Sequence, residues 1–260
     1  MTRSLAVSAS TVQSEATTTS DAAAPRRRHG GRADARAAPP ENRLSIRLLQ
    51  ALDVCIARIY HQTIVRTAQR LPRQGPAILI CNHTSGLDPL LIQSVCPRLI
   101  VWMMAREYYD IKALTWVFRT IEAIPVDRAG RDMTATRAAL RALEHGRILG
   151  VFPEGRIEKT REMLPFQTGV ALMAIKTGVP VYPAYLDGTQ RNKSMLRAIL
   201  ARNRATITFG PEVKFDRSST SKEALQAATD QFTDAVAALK AKSEWAEASH
   251  RPNDLSGRVD

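Results

Sequence analysis

The sequence has few cysteines and few aromatic residues. Its three cysteines, Cys55, Cys81 and Cys96, form no C-x-x-C pair, which excludes a zinc site of the usual spacing. Because the number is odd and two of them lie in apolar runs, we expect free, buried thiols in a reducing compartment. Aromatic residues make up 5% of the 260 residues, which is poor material for stacking nucleic-acid bases.

Long apolar runs are also missing. No segment approaches the ~18 consecutive apolar residues that span a bilayer, and no apolar region follows Arg3 as it would in a secretory signal. The absence of a G-x-S-x-G sequence argues against a serine esterase. We therefore expect a cytoplasmic protein, either free or resting on a membrane surface.

Basic residues outnumber acidic ones. The net charge is +12, the pI is about 10.2, and 44% of the residues are hydrophobic. Such a chain is able to bury one sizeable core, and its charge favours contact with phospholipid, nucleic acid or phosphorylated metabolites without choosing among them.

The two ends of the chain differ from its middle. Residues 1–42 have almost no large apolar side chains, which predicts a disordered basic tail, and RRRH at 26–29 fits either a solubilising segment or a contact with anionic surfaces. Residues 43–72 are predicted to be an amphipathic helical segment, with the helical pattern running from Leu44 to about Arg70. It is equally suited to a membrane interface and to capping a soluble core. A loose tail is predicted over 248–260.

Residues 73–247 predict an α/β fold, a layered sheet flanked by helices. Apolar runs at 77–81, 98–103, 121–126, 147–152 and 179–184 alternate with helical patterns, which are clearest at 132–145 and 166–177. A further strand is predicted at 205–209 and a final helix at about 221–246.

Polar clusters follow three of these apolar runs. NHTSGLD occupies 82–88, DR occupies 127–128 and PEGR occupies 153–156. If the runs are neighbouring parallel strands, the clusters meet at the carboxyl edge of the sheet, where ligands bind in open α/β sheets.

His83 and Asp88 are the first candidate pair. A histidine can take a proton near neutral pH, and a carboxylate can orient it. Each also has a structural interpretation: a buried histidine bonded to backbone, and an aspartate that caps a helix over 89–95 before Pro89. Glu154, between Pro153 and Gly155, is predicted to lie on a tight turn.

Four blocks together resemble the glycerophospholipid acyltransferase family, the 1-acylglycerol-3-phosphate O-acyltransferase group. They are NHTSGLD with its HX4D motif at 82–88, IPVDR at 124–128, FPEGR at 152–156 and VPVYP at 179–183. The resemblance implies transfer of a fatty acyl group from acyl-CoA or acyl carrier protein to a hydroxyl of a lysophospholipid. It implies a glycerol-3-phosphate acyltransferase-like fold, no cofactor, no metal and no nucleic-acid partner.

The resemblance also implies roles for residues. His83 would be the general base and Asp88 its orienting acid. Arg128 would grip the acceptor phosphate, and Glu154 with Gly155 would bind its glycerol-phosphate end. Residues 179–183 would line the acyl or acceptor pocket. The chemistry itself requires N–H donors or a cation near the oxyanion that forms from the thioester carbonyl, and turn amides around Gly155 or after His83 are able to supply such donors.

Two positions depart from the family pattern and bear on the choice of acceptor. Arg156 stands where a small hydroxyl residue is common, and it adds positive charge near the acceptor site or points away from it. Gln167 stands where lysine is common. A lyso-aminolipid acceptor, a thioesterase side reaction and a non-catalytic basic module that binds anionic lipid or nucleic acid are the alternatives. For membrane contact, the candidates are the 44–66 helix and the basic segment 191–204.

Overall fold

One mixed sheet organises the chain. The structure, a computed structural model, describes residues 43–128, 132–158, 160, 162–189 and 195–249. Within them lie the strands β1 (Ile64–Thr67), β2 (Ala77–Cys81), β3 (Ile100–Ala105), β4 (Ile124–Val126), β5 (Ile148–Val151), β6 (Val181–Asp187) and β7 (Thr206–Phe209). Their order across the sheet is β1-β7-β6-β2-β5-β3-β4.

The sheet is parallel from β6 to β4. β2 pairs with β5 and with β6, and β3 pairs with β5 and with β4, all in parallel. β7 runs antiparallel to β6 and parallel to β1. The condition that the runs before the polar clusters are neighbouring parallel strands holds for β2 and β5. It does not hold for β4, which is parallel but lies at the sheet edge with β3 between it and β5.

Helices cover both faces of the sheet. They are α1 (Leu44–Cys55), α2 (Asp88–Gln93), α3 (Arg106–Tyr109), α4 (Thr115–Thr120), α5 (Met133–Glu144), α6 (Gly169–Thr177), α7 (Met195–Leu200) and α8 (Lys222–Ser249). α5, α6 and α8 contribute Leu143, Ala171 and Phe232 to one core cluster. α2 and α7 contribute Leu91 and Ala198 to a second. The predicted α/β layered fold is confirmed.

Sequence signals fix the ends of the two helices that were predicted most clearly. α5 follows Asp132, whose side chain accepts a hydrogen bond from the N–H of Ala135 over 2.9 Å, as an N-cap does. α6 ends at Gly178, which has a φ of 67° and donates its N–H to the carbonyl of Ala174. A left-handed residue is the usual end of a helix, and glycine adopts that conformation without strain.

The N-terminal helix is shorter than predicted. Helical structure runs through α1 and a π-helical turn, Ile56–Tyr60, and the chain then forms β1 and pairs with β7. The prediction that the helical pattern continues to about Arg70 is therefore wrong for the residues that form β1. The β-branched residues Ile64, Val65 and Thr67 favour a strand and find a pairing partner at the sheet edge.

One side of α1 and of the π-helical turn that follows it carries large apolar residues that face outward. Leu44, Leu48, Leu52 and Ile59 are between 57% and 71% exposed, and their steps of four, four and seven residues place them on one side of the helix. The inward side carries Ile46, Asp53 and Ala57. The segment therefore contributes to the core and still exposes an apolar row, which we call the α1 row (Leu44, Leu48, Leu52 and Ile59).

The three cysteines are free. Cys81 and Cys96 are buried as predicted, but Cys55 is exposed on α1, so the prediction of buried thiols is wrong for that residue. The tail predicted over 1–42, with its cluster at 26–29, lies outside the described residues, as does 250–260. In the described part of the chain, no helix is both long and apolar enough to cross a bilayer.

Candidate active site

The loop after β2 brings His83 and Asp88 together. Nδ1 of His83 lies 3.0 Å from Oδ2 of Asp88. The Asp88 side chain is fully buried, whereas 12% of the His83 side chain is exposed. Because an ionised carboxylate only accepts hydrogen bonds, Nδ1 is assigned the proton, and Nε2 carries the lone pair that can take a proton from a substrate.

Backbone amides of the same loop hold Asp88. The N–H groups of Thr84 and Ser85 donate to its Oδ2 over 2.7 and 2.9 Å. The helix-cap prediction for Asp88 is wrong, because α2 begins at Asp88 itself and its carboxylate turns back towards the loop. The first turn of α2 offers it no donor: Pro89 has no N–H, and the N–H of Leu90 donates to the carbonyl of Leu87.

Glu154 ties the loop after β5 to the loop that carries the base. Its Oε1 accepts a hydrogen bond from the backbone N–H of His83, and its Oε2 accepts one from Leu164, both over 3.0 Å. The side chain is 4% exposed, and burial raises the pKa of its carboxyl group, although the two backbone N–H groups oppose that rise. Its contact with an acceptor stays a prediction, since both oxygens hold the protein's own backbone.

Two further contacts fix the position of the base, and the sequence did not reveal them. The side-chain amide of Asn82 donates to the carbonyl of Leu186 over 2.9 Å and accepts from its N–H over 2.8 Å. The N–H of Glu158 donates to the carbonyl of His83 over 2.7 Å. The only signal for Asn82 was its place between an apolar strand and the histidine.

The tight turn predicted around Glu154 is present. Gly155 has a φ of 70° and donates its N–H to the carbonyl of Phe152 over 3.0 Å. A Cβ at this position would lie 2.4 Å from Nε2 of Gln167. The turn therefore requires glycine for its backbone conformation and for the approach of Gln167.

The amides expected to stabilise an oxyanion already have acceptors. Thr84 and Ser85 donate their N–H groups to Asp88, and Gly155 donates to the carbonyl of Phe152. The expectation that these three amides serve an oxyanion is therefore wrong for this structure. The N–H groups of Thr84 and Ser85 are not free, because the buried carboxylate of Asp88 needs them as hydrogen-bond donors.

The two arginines predicted near the acceptor follow different strands of the sheet. Arg156, which is exposed, follows β5, the strand next to β2. Arg128, also exposed, follows β4, three strands from β2, which is about 14 Å at ordinary strand spacing. The three polar clusters thus share the carboxyl edge, and a hydrogen bond joins 82–88 to 153–156.

The fourth block, 179–183, lies at the amino end of β6, away from the carboxyl edge of the sheet that carries the polar clusters. Val179 and Val181 are buried in a core cluster, and Val181 pairs with Ile78, near the amino end of β2. The implied role of this block in lining a substrate pocket therefore does not hold for these two valines. Within the described residues, no group of three His, Cys, Asp or Glu side chains is arranged to hold a metal ion.

A family model and several curated proteins match this chain. Residues 62–187 match the Acyltransferase family model. The chain is 25% identical over 134 residues to the 1-acyl-sn-glycerol-3-phosphate acyltransferase of Bacillus subtilis, covering 51% of this chain and 66% of that protein. It is 31% identical over 116 residues to the enzyme of that name from Cocos nucifera, covering 44% and 38%.

A solved structure shares the fold. The crystal structure of the 1-acyl-sn-glycerophosphate acyltransferase PlsC from Thermotoga maritima superposes with a TM-score of 0.58 at 19% identity, covering 79% of this chain and 82% of that one. Residues 62–187 thus match an acyltransferase family model, and the relatives that this part of the chain resembles are 1-acyl-sn-glycerol-3-phosphate acyltransferases. It spans less than two thirds of the length of the curated relatives that it matches.

Proposed function

We propose that this protein is a peripheral membrane O-acyltransferase. It transfers a fatty acyl group from acyl-CoA or acyl carrier protein to the free hydroxyl of a lysophospholipid, and 1-acylglycerol-3-phosphate, giving phosphatidic acid, is the favoured acceptor. The observation that carries the proposal is the 3.0 Å contact between His83 and Asp88, with the His83 side chain partly exposed.

The reaction follows from the orientation of this pair. Nε2 of His83 removes the hydroxyl proton as the oxygen attacks the thioester carbonyl carbon, because a hydroxyl is a poor nucleophile until its proton is being removed. Asp88 stabilises the imidazolium that forms. The tetrahedral intermediate then collapses, the C–S bond breaks, and the imidazolium returns its proton to the leaving thiolate, so that ester and free thiol result.

The site is held in its working geometry before substrate arrives. Glu154 and Glu158 fix the backbone of His83 on both sides of the residue, and two amides fix Asp88. A preorganised base needs no rearrangement when substrate binds, which is a substantial part of what an active site contributes to the rate.

The α1 row supports a peripheral position on an anionic membrane, and we place the protein on the inner face of the cell membrane. The row is exposed, and Arg43, Arg47 and Arg58 on the same segment are exposed as well. The second candidate for membrane contact is the basic segment 191–204. Its helix α7 lies beside the π-helical turn, because the hydroxyl of Tyr60 donates to the carbonyl of Leu200 over 2.6 Å. Exposed leucines with flanking cations are typical of helices that lie in a membrane interface.

The test is the His83→Ala variant. Thioester consumption with lysophosphatidic acid and acyl-CoA, measured beside circular dichroism, is expected to fall by at least about a hundredfold while the spectrum is unchanged. His145→Ala, which changes an exposed histidine at the end of α5, is the matched control and should retain full turnover. Near-normal turnover in His83→Ala would defeat the assignment.

The acceptor and donor are tested together. The purified protein is incubated with a panel of lysophospholipids, including a lyso-aminolipid, and with acyl-CoA of several chain lengths or acyl carrier protein, and products are identified by mass spectrometry. Transfer only to another acceptor would replace the favoured one. Tight, salt-sensitive lipid or DNA binding with no product from any donor would instead favour the non-catalytic module.

A further inference from the structure

Three aromatic rings lie nearly parallel next to the proposed base. The His83 imidazole and the Phe152 ring are stacked, with centroids 4.1 Å apart and planes 13° apart. Trp102 stacks on Phe152, with centroids 5.0 Å apart and planes 11° apart. The column His83–Phe152–Trp102 thus runs from the partly exposed imidazole into the core, where Trp102 is 4% exposed.

The sheet order creates this column. The three residues come from the adjacent strands β2, β5 and β3: His83 follows β2, Phe152 directly follows β5, and Trp102 lies within β3. Trp102 pairs with Gly150 in the sheet. Residues two apart on a strand share a face, so Gly150 lies on the face from which Phe152 projects.

Gly150 makes room for the indole. A Cβ built on Gly150 would lie 2.4 Å from Cε3 of Trp102 and 2.7 Å from Cγ2 of Ile100. Its backbone is not in the left-handed region, so the requirement for glycine is one of space alone. Any side chain at residue 150 would displace the ring that supports Phe152.

Tryptophan also carries a cost at this position. Nε1 of Trp102 is buried, and among the described residues no hydrogen-bond partner lies within reach of it. A buried donor without a partner is unfavourable. A phenylalanine or leucine would fill core space without that cost, which indicates that the large flat ring itself is what the site uses.

The imidazole needs a contact on its face as well as on its edge. The bond from Nδ1 to Asp88 fixes one edge of the ring, but the torsion that turns a histidine ring is soft, and a hydrogen bond tolerates tilt. A stacked ring restricts that tilt. Because displacement of a reacting group by about 1 Å can cost about a hundredfold in rate, the plane of the imidazole matters for proton transfer.

We propose that Phe152 and Trp102 are positioning residues that hold the plane of the His83 imidazole through a stacked aromatic column. This inference rests on the proposed role of His83 as the base. It gives β3, which carries none of the four family blocks, a part in the reaction.

The test compares Phe152→Leu with Phe152→Tyr. The leucine variant loses the stacked ring and is expected to lower kcat about tenfold to a hundredfold, with the KM values of donor and acceptor changed less than about threefold. The tyrosine variant keeps a stacked ring and is expected to return to within about threefold of the original kcat. A second pair of variants is Trp102→Leu and Trp102→Phe, at a residue on β3, one strand further from His83 than Phe152 is.

A buried phenylalanine outside the site is the matched control. Phe232 on α8 is 1% exposed and packs edge-on against Phe215. Phe232→Leu should lower the melting temperature without changing the kcat of the folded fraction. If kcat of the folded fraction in Phe152→Leu is also unchanged, the column has only a structural role and the proposal fails.

Nuclear magnetic resonance of the His83 ring protons gives a readout that does not depend on turnover. Protons over a stacked ring are shifted upfield, so the shift should be lost in Phe152→Leu, reduced in Trp102→Leu and retained in Phe152→Tyr. Unchanged His83 resonances in folded Phe152→Leu would overturn the proposal. If His83→Ala retains turnover, the proposed function fails. If the His83 ring shifts still change as expected in the Phe152 and Trp102 variants, the stacked column is supported independently of that outcome.

Discussion

The backbone N–H of His83 donates a hydrogen bond to Oε1 of Glu154 over 3.0 Å, which joins two residues 71 positions apart in the chain. The second oxygen of Glu154 accepts from Leu164, ten positions further on. One carboxylate thus connects the loop that carries the base to two other parts of the chain.

Glu154→Gln tests whether this residue positions the base. A glutamine keeps one acceptor and turns an N–H₂ group towards one of the two amides, which leaves a buried donor unpaired at a cost of about 1–3 kcal/mol. We expect a lower melting temperature and a lower kcat, with the acceptor KM nearly unchanged. A raised acceptor KM with normal kcat and stability would instead indicate direct contact between Glu154 and the substrate.

Arg156→Gln is expected to weaken binding of the acceptor more than Arg128→Gln does. Arg156 lies between Glu154 and Glu158, which both bond the backbone of His83, whereas Arg128 follows a strand three positions away in the sheet. Loss of a charged hydrogen bond to phosphate predicts an increase in acceptor KM of about tenfold to a hundredfold for Arg156→Gln.

Steady-state kinetics with lysophosphatidic acid gives both KM values. The two variants are matched controls for each other, since each removes one exposed cation from the same edge of the sheet. A larger effect from Arg128→Gln would show that the acceptor phosphate extends towards β4.

Asp53→Asn is expected to alter the pH dependence of stability. Burial raises the pKa of Asp53 to about 7, from about 4 in the unfolded chain, and its Oδ2 has no hydrogen-bond partner among the described residues. The folded state therefore binds more protons than the unfolded state between these values, so stability falls as the pH rises through this window. The difference of about 3 pH units corresponds to a loss of up to about 4 kcal/mol.

The measurement is the free energy of unfolding in urea, from about pH 4 to about pH 8. Asparagine cannot ionise, so the variant should be more stable than the original protein at the upper end and equal to it at the lower end. Asp110→Asn, at an exposed aspartate, should follow the original protein. Parallel curves for Asp53→Asn and the original protein would contradict the prediction.

Replacing Leu48 and Leu52 with glutamine is expected to weaken binding to vesicles. Both leucines belong to the α1 row and are more than half exposed, so the change removes apolar contact with lipid and leaves the core intact. Flotation with vesicles rich in anionic lipid should show a loss of about tenfold or more, since each exposed leucine contributes about 1.5 kcal/mol or more when buried.

Trp245→Gln provides the comparison for the α1 row. Trp245 is 73% exposed on α8, a helix that packs on the other face of the sheet from α2. Its replacement should leave flotation unchanged. Equal losses in both variants would point to general apolar adhesion, and no loss in the leucine variant would remove the α1 row from the membrane contact.

The strands and the His83–Asp88 pair could be predicted because their signals are local. β2 is an unbroken apolar run, which is typical of a strand buried on both faces, and the base and its acid share one loop. β1 was missed because its first three residues are exposed and show no alternation. Its pairing with β7 joins residues about 140 positions apart.

The remaining contacts of the site depend on strand order, which no local pattern encodes. Glu154 reaches His83 because β5 lies next to β2, although β3 and β4 intervene in the chain. Trp102 joins the aromatic column for the same reason. The placement of Arg128 at the sheet edge, away from Arg156, could not be predicted from motif order, because blocks that follow one another in sequence need not be neighbours in a sheet.

The strand that leads into the base is the most deeply buried strand among the described residues. All five residues of β2 are fully buried, and the strand pairs with β5 on one side and β6 on the other. Amides in such a strand exchange with deuterium only when the whole domain opens. Heating should therefore abolish turnover at the temperature at which the domain melts, with no earlier inactivation from fraying around the histidine.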